Sequence, residues 1–260
     1  MSKLQGLLFA LATLVLVVAA TLLFTRDWLP PLVSDRAAID NAIWVSLLVT
    51  GVVFIATNLL LAWFGFRYQD ADGAKASYWH DNPKLEWSWT LATAVVMLAF
   101  LFNSLSLWAD IHGEAPEDAM LVEVTGQQFR WVVRYPGPDG AFGRTDATLV
   151  DVNAENYIGL DETDPAAGDD VMRINELHLV EDHPVRVQLR STDVIHSFFL
   201  PDFRVKQDAM PGLTVETWFV PTEAGEYEIA CAEHCGLGHY RMRGFVHVVS
   251  AQEHARALAE

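Results

Sequence analysis

The sequence predicts a membrane anchor of two or three α-helices followed by an all-β sandwich outside the membrane. Three apolar runs, residues 4–24, 42–66 and 85–108, fill most of the first 110 positions; at about 1.5 Å per residue each can cross a hydrocarbon core of roughly 30 Å. Beyond Trp108 the apolar residues fall into short alternating stretches, the period of half-buried strands. Charge divides at the same point: of a formal net of −17, residues 109–260 hold 27 Asp and Glu against 11 Lys and Arg, a net of −16. A 52% hydrophobic content with positive mean hydropathy excludes disordered and disulfide-scaffold classes.

Taking the anchor in order, the first run has a thin positive flank, Lys3, as a signal peptide would. It is long, however, and no small-x-small cleavage site separates it from Arg26-Asp27-Trp28, so retention as a helix is expected. Either way the C-terminal half is external and residues 67–84 are cytoplasmic. Lys3, Arg67, Lys75 and Lys84 then lie inside against Arg26 and Arg36 outside, in keeping with the positive-inside tendency. The third run alone carries a charge, Glu86, near its start. An ionisable group at a span is a functional candidate because burying its charge is costly, although a carboxylate there also suits the helix dipole.

In the external part, residues 120–125, 131–135, 185–190, 215–220, 227–230 and 245–249 read as strands, and their number and spacing suggest a β-sandwich. Pro136-Gly137-Pro138-Asp139-Gly140 is a turn cluster. Residues 137–170 are polar, acidic and without periodicity, so they are expected to form an inserted surface loop. Its run Asp161-Glu162-Thr163-Asp164 with Asp169-Asp170 is taken as solvated rather than as a calcium site. The acidic domain favours encounter with a basic partner and disfavours nucleic acid.

Only two cysteines occur, Cys231 and Cys235. A disulfide closing so short a loop would contribute little, so metal ligation or redox chemistry is the better expectation. The segment Cys231-Ala232-Glu233-His234-Cys235-Gly236-Leu237-Gly238-His239-Tyr240-Arg241-Met242 puts two thiols, imidazole and a thioether in one loop between predicted strands. Soft sulfur ligands beside imidazole favour copper over hard cations. Upstream, Asp193-Val194-Ile195-His196-Ser197-Phe198 ends a predicted strand and supplies another imidazole. Cys231, Cys235, His239 and His196 could also make a tetrahedral zinc site; Met242 and Glu233 count against it. His112, His178, His183 and His247 are expected to be surface or packing residues.

Residues 191–197, then Asp208-Ala209-Met210-Pro211-Gly212, then the Cys-x-Glu-x-Cys-x3-His-x2-Met loop resemble, in order and spacing, the copper domain of cytochrome c oxidase subunit II. The resemblance covers about residues 85–250 and implies a Greek-key cupredoxin fold for an external domain of residues 111–260 behind an anchor of residues 1–110. It implies a binuclear copper centre (CuA) bridged by Cys231 and Cys235, with His196 and His239 on one copper each, Met242 as a weak ligand and Glu233 ligating through its backbone carbonyl. The Glu233 side chain would hold a magnesium ion shared with subunit I, and Glu86 would stand at the cytoplasmic mouth of a proton channel.

One stretch departs from the family. Its usual Gly-His-Gln-Trp-Tyr-Trp, whose first Trp receives electrons from cytochrome c, is here Gly126-Gln127-Gln128-Phe129-Arg130-Trp131. Phe129 takes the place of the receiving indole and Trp131 keeps the second aromatic position, which implies a donor that docks differently, such as a tethered cytochrome. No Cys-x-x-Cys-His occurs, so no haem is expected on this chain. The expectation is therefore an electron-accepting subunit of a haem-copper oxidase in a bacterial plasma membrane. It would work with haem-bearing subunit I, other oxidase subunits and cytochrome c or a tethered cytochrome, the oxygen chemistry and proton pumping belonging to subunit I. The alternative is a membrane-anchored copper electron carrier outside any oxidase; the copper ligands exclude the quinol-oxidase counterpart.

Overall fold

The computed structural model describes residues 3–26, 28–68, 73, 75 and 77–259. Asp27 and residues 69–72, 74 and 76 of the connection expected on the cytoplasmic side lie outside these. The described chain forms two compact units, one of helices and one of β-structure.

Helices α1 (Lys3–Phe24), α2 (Ala37–Arg67) and α3 (Pro83–Ile111) are each long and apolar enough to cross a membrane. α1 overruns its predicted run by one residue, Lys3, and α2 and α3 overrun theirs by several, because helical hydrogen bonding continues past the apolar stretch. Among the described residues α3 buries no side chain at all. A helix apolar on every side and uncovered by its own chain needs lipid or another subunit around it. Its start is capped: Asn82 Oδ1 accepts from the Leu85 N–H (3.2 Å), and Glu86 Oε1 accepts from the Asn82 N–H (3.2 Å). Glu86 therefore has a structural task at the helix N-terminus.

The β unit is a two-sheet sandwich. Strands β1 (Met120–Gln127), β2 (Arg130–Tyr135), β3 (Val171–Ile174), β5 (Val185–Ser191) and β8 (Val215–Phe219) make one sheet, in the order β3-β2-β1-β5-β8. Strands β4 (Glu176–Val180), β6 (His196–Leu200), β7 (Val205–Ala209), β9 (Gly225–Cys231) and β10 (Arg243–Val249) make the other, ordered β4-β10-β9-β6-β7. The parallel pairs β1/β5 and β4/β10 between otherwise antiparallel neighbours are the crossovers of a Greek key. Alternation along the strands fills the core with Val122 and Val124, Val187 and Leu189, Leu177 and Leu179, and Val246 and Val248. The chain closes with helix α4 (Ala251–Ala259), capped by Ser250 and Glu253.

Three features differ from the sequence-based expectation. First, β3, β4, β6 and β7 and helix α4 were not expected. His196 opens β6, whereas the sequence suggested the end of a strand, because β5 stops at Ser191 and a turn closed by the Asp193 N–H donating to Ser191 Oγ intervenes. Second, the segment between the first two helices, residues 30–37, belongs to the β unit. Val33 is buried in its core, the Val33 N–H donates to Asp202 O (2.9 Å), the Thr222 N–H donates to Val33 O (2.9 Å), and the Arg36 guanidinium donates to Trp218 O while lying over that indole.

Third, residues 137–170 do not form a merely solvated loop. Ile158, Leu160 and Ala167 build a small second core on the outer face of β2 with Val132. A buried ionic network ties the insert down. Arg134 bonds Glu123 (2.8 Å), Asp170 (3.1 Å) and Gly143 O (2.8 Å), while Asp170 also accepts from the Gly143 N–H (3.0 Å) and Arg190 reaches Glu123 (3.3 Å). Asp161 and Asp164 cap local turns instead of pointing to a shared centre; hydrogen bonds from Thr163 and the Arg144 guanidinium pull the Asp161 carboxyl down to about 2.

Candidate metal centre

The cysteine loop joins β9 to β10, so both of its ends are held by sheet hydrogen bonding. Cys231 is the last residue of β9, and a 3-10 turn, His239–Arg241, returns the chain to β10. Cys231 N–H donates to Met242 O (3.3 Å), pinning the two ends of the loop together. Gly236 has φ 131°, a conformation that L side chains avoid, and a Cβ there would press on Gln128 and on the Phe129 ring. The Gln128 amide donates to Cys235 O (2.5 Å), so β1–β2 residues brace the loop from above.

The fold brings the sequence-predicted ligands together. Cys231 Sγ and Cys235 Sγ lie 3.8 Å apart as free thiols. Cys235 Sγ is 3.7 Å from His239 Nδ1 and 3.7 Å from Met242 Sδ. A ring nitrogen of His196, on β6, lies within 4.8 Å of both sulfurs. The Glu233 backbone carbonyl points at Cys231 Sγ (3.1 Å), while the residue itself is exposed. His234 is exposed beside His239 and touches neither sulfur by any contact seen. Glu86 belongs to the helical unit.

His196 is the most informative member. Its Nε2 bonds Asp193 Oδ1 (2.8 Å), whereas Nδ1 is buried without a hydrogen-bond partner. A buried nitrogen that the protein leaves open while fixing the other is what a metal ligand with an orienting carboxylate looks like. Room for the ring comes from Gly126, where a Cβ would stand 2.7 Å from His196 Cδ2. Asp193 is in turn held by the Gln128 N–H (2.7 Å). Asp193 and Gln128 are supporting residues that sequence reasoning did not assign; an acid three residues before a ligand histidine was the available signal for the first.

The sulfurs do not ionise alike. Burial alone would raise the Cys231 thiol, but the neighbouring His196 ring and the Ser197 and Glu233 backbone outweigh it and bring it down to about 6. Burial and the neighbouring Cys231 charge push Cys235 up to about 11. Positive charge between the sulfurs, as a bound cation would supply, favours the deprotonated form of both. The donor set, two thiolates, two imidazoles, a thioether and a carbonyl, suits soft copper. We expect Asp193→Asn to lower copper affinity about 10- to 100-fold by loosening the His196 ring, measured as copper retained against a chelator series.

The two aromatic candidates are placed differently. Trp131 is fully buried, edge-on to His196 at a centroid distance of 6.0 Å and to Phe198 at 5.7 Å. Phe129 is half-buried over the loop, with Arg241 above its ring (5.9 Å). Leu237 and Tyr240, 97% and 85% exposed, put an apolar surface around the loop.

Comparison with known proteins agrees with this geometry. The family model described as cytochrome c oxidase subunit II, periplasmic domain, matches residues 120–249, from the start of β1 to the end of β10. The chain is 38% identical over 254 residues to the alternative cytochrome c oxidase subunit 2 of Bradyrhizobium diazoefficiens, covering 96% of this chain and 90% of that one. It is 29% identical over 222 residues to the cytochrome c oxidase subunit 2 of Cereibacter sphaeroides, covering 82% and 73%. The solved periplasmic domain of subunit II of the Bradyrhizobium japonicum cytochrome oxidase aligns at 29% identity with a TM-score of 0.41, over 56% of this chain and 95% of that one. Since the likeness runs through helices and sandwich alike, the chain belongs to the cytochrome c oxidase subunit II family and is a membrane-anchored oxidase subunit with a periplasmic cupredoxin-like domain.

Proposed function

We propose that this subunit is the electron-accepting one of its oxidase, and that Cys231, Cys235, His196, His239, Met242 and the Glu233 carbonyl hold a binuclear copper centre. The observation that carries this is the buried His196 ring, its Nδ1 left without a hydrogen-bond partner and one of its nitrogens within 4.8 Å of both sulfurs of a free thiol pair. Held by these residues, such a centre would supply one-electron transfer with small bond-length changes. The chain's own part is to fix the ligands before metal arrives: the Asp193 carboxylate orients His196, Gln128 braces the loop at Cys235 O, and the sheet holds both loop ends. Copper analysis with electron paramagnetic resonance on the full chain tests it. Two coppers per chain with one electron shared between equivalent nuclei is the expected result; a single zinc, or one isolated blue copper, would overturn it and favour the carrier outside an oxidase.

Electrons would arrive from cytochrome c or a tethered cytochrome at the loop surface. Phe129 and its apolar surroundings form the outer contact, and buried Trp131 acts behind His196 instead of meeting the donor. Glu233 has its side chain at the surface, where it can hold magnesium jointly with subunit I. Anchor and external domain divide near residue 110, with residues 30–37 added to the external side. All three helices span a bacterial plasma membrane, which puts both ends of the 30–37 connection on the periplasmic side.

Glu86 would feed protons toward subunit I besides capping α3. Glu86→Gln separates the two tasks, because the amide oxygen can still accept the Asn82 N–H. Proton uptake and turnover should fall severalfold in the assembled enzyme with α3 still helical; unchanged turnover would leave Glu86 a cap alone.

A further inference from the structure

A second cluster of metal-binding side chains stands on the outer face of the other sheet, formed by residues that the copper loop does not use. His247 on β10 is paired in register with His178 on the parallel neighbour β4 and with Glu226 on the antiparallel neighbour β9. Directly opposed residues share a face, so one row across three strands reads Glu226, His247, His178. Glu176, two positions before His178, joins the same face by strand period. The imidazoles of His178 and His247 stack with centroids 4.7 Å apart and planes 21° from parallel. His178 Nε2 is 3.7 Å from Glu176 Oε2, and His247 Nδ1 is 3.8 Å from Glu226 Oε2. Ligand atoms of Glu176, His178 and His247 all lie within 4.8 Å of one another.

From this row we propose a second metal site: His178, His247 and Glu176 bind a borderline divalent transition metal of the zinc type on the outer face of β4 and β10. Two imidazoles and one carboxylate on a surface suit such an ion, with water completing the shell, whereas no thiolate is present to select copper(I). Two nitrogens bound at about 2.0–2.1 Å to one tetrahedral ion stand about 3.3 Å apart, so closure asks only for side-chain rotation. The frame does not have to move. The Tyr135 hydroxyl fixes the backbone at His178 on both sides, accepting from its N–H (2.6 Å) and donating to its carbonyl (3.2 Å). Burial, together with the facing His247, disfavours protonation of His178, which keeps its ring available as a neutral ligand. His247 lies five residues along β10 from Met242, roughly 16 Å at strand rise, so the two sites share a sheet without sharing ligands.

The test is a zinc titration by calorimetry on the tag-free full chain in detergent, in a Cys231→Ser, Cys235→Ser background that removes the sulfur site. One saturable zinc per chain is expected. His178→Gln and His247→Gln should each weaken it at least about tenfold, since even residues that merely orient ligands cost that much. Glu176→Gln, at an exposed position that folding does not depend on, should weaken it as well. No saturable binding, or binding indifferent to all three substitutions while circular dichroism shows intact sheet, would overturn the proposal.

Discussion

Cys235→Ser should strip the subunit of its function, cutting oxygen consumption by the assembled oxidase more than about a hundredfold, since merely orienting residues around a metal already cost up to that factor. Cys235 is the most connected member of the constellation: buried, and within 4 Å of the Cys231 sulfur, His239 Nδ1 and Met242 Sδ at once. Serine offers a hard oxygen that stays protonated at neutral pH, in a site whose surroundings already resist a second negative charge. Copper per chain should fall from two to one or none, and the shared-electron hyperfine pattern should vanish. Retention of both coppers and of the pattern would mean that Cys235 is no bridge. The backbone should survive, because the loop ends are fixed by β9, β10 and the Cys231–Met242 hydrogen bond.

Arg134→Met should have the largest effect on stability. It leaves Glu123 and Asp170, both buried, with Arg190 as the one remaining cation in the network, and unpairing a buried charge typically costs about 3–5 kcal/mol. For a domain of this size that lowers Tm by on the order of 10 °C, measured by thermal unfolding of the full chain. Limited proteolysis should then cut first within residues 137–170, since Arg134 bonds Gly143 and Asp170 at the two ends of the insert. Replacing Glu123, Arg134 and Asp170 together by Leu, Met and Leu should recover much of the loss, because no orphaned charge remains. If the triple variant were no better than Arg134→Met, packing rather than charge would be the cause.

What the sequence made legible follows from how local each signal is. Strands β5 and β10 show through alternation, because one residue in two faces a common core, and β1 and β2 through runs of valine and aromatic residues that are buried in succession. Strand β6 does not alternate: His196, Ser197 and Phe198 are buried in succession, as befits a strand covered on both faces near the metal loop. Strands β3 and β4 are short and split by Asn175 in a left-handed conformation, and β7 carries Lys206 and Asp208, so none of the three stands out in isolation, although β4 alternates. Helix α4 did carry a local signal, Ser250 with Glu253 as a capping box, overlooked because the run is short. At the site, the loop ligands sit close in sequence and could be read directly. The brace from Gln128 to Cys235 joins residues 107 apart, and the core of the acidic insert depends on the far face of β2; neither leaves a local trace.

The seating of Val33 bears on how this protein can be handled. A soluble fragment cut just after α3 would omit residues 30–37, removing Val33 from the core and leaving Asp202 O and Val220 O without the amides that now meet them. Such a truncation opens a hydrophobic slot in an otherwise closed sandwich, inviting aggregation or loose copper uptake that the intact chain would not show. Supplying the missing octapeptide in trans, or grafting it ahead of Trp108 through a flexible linker, should refill the slot and recover a monodisperse domain.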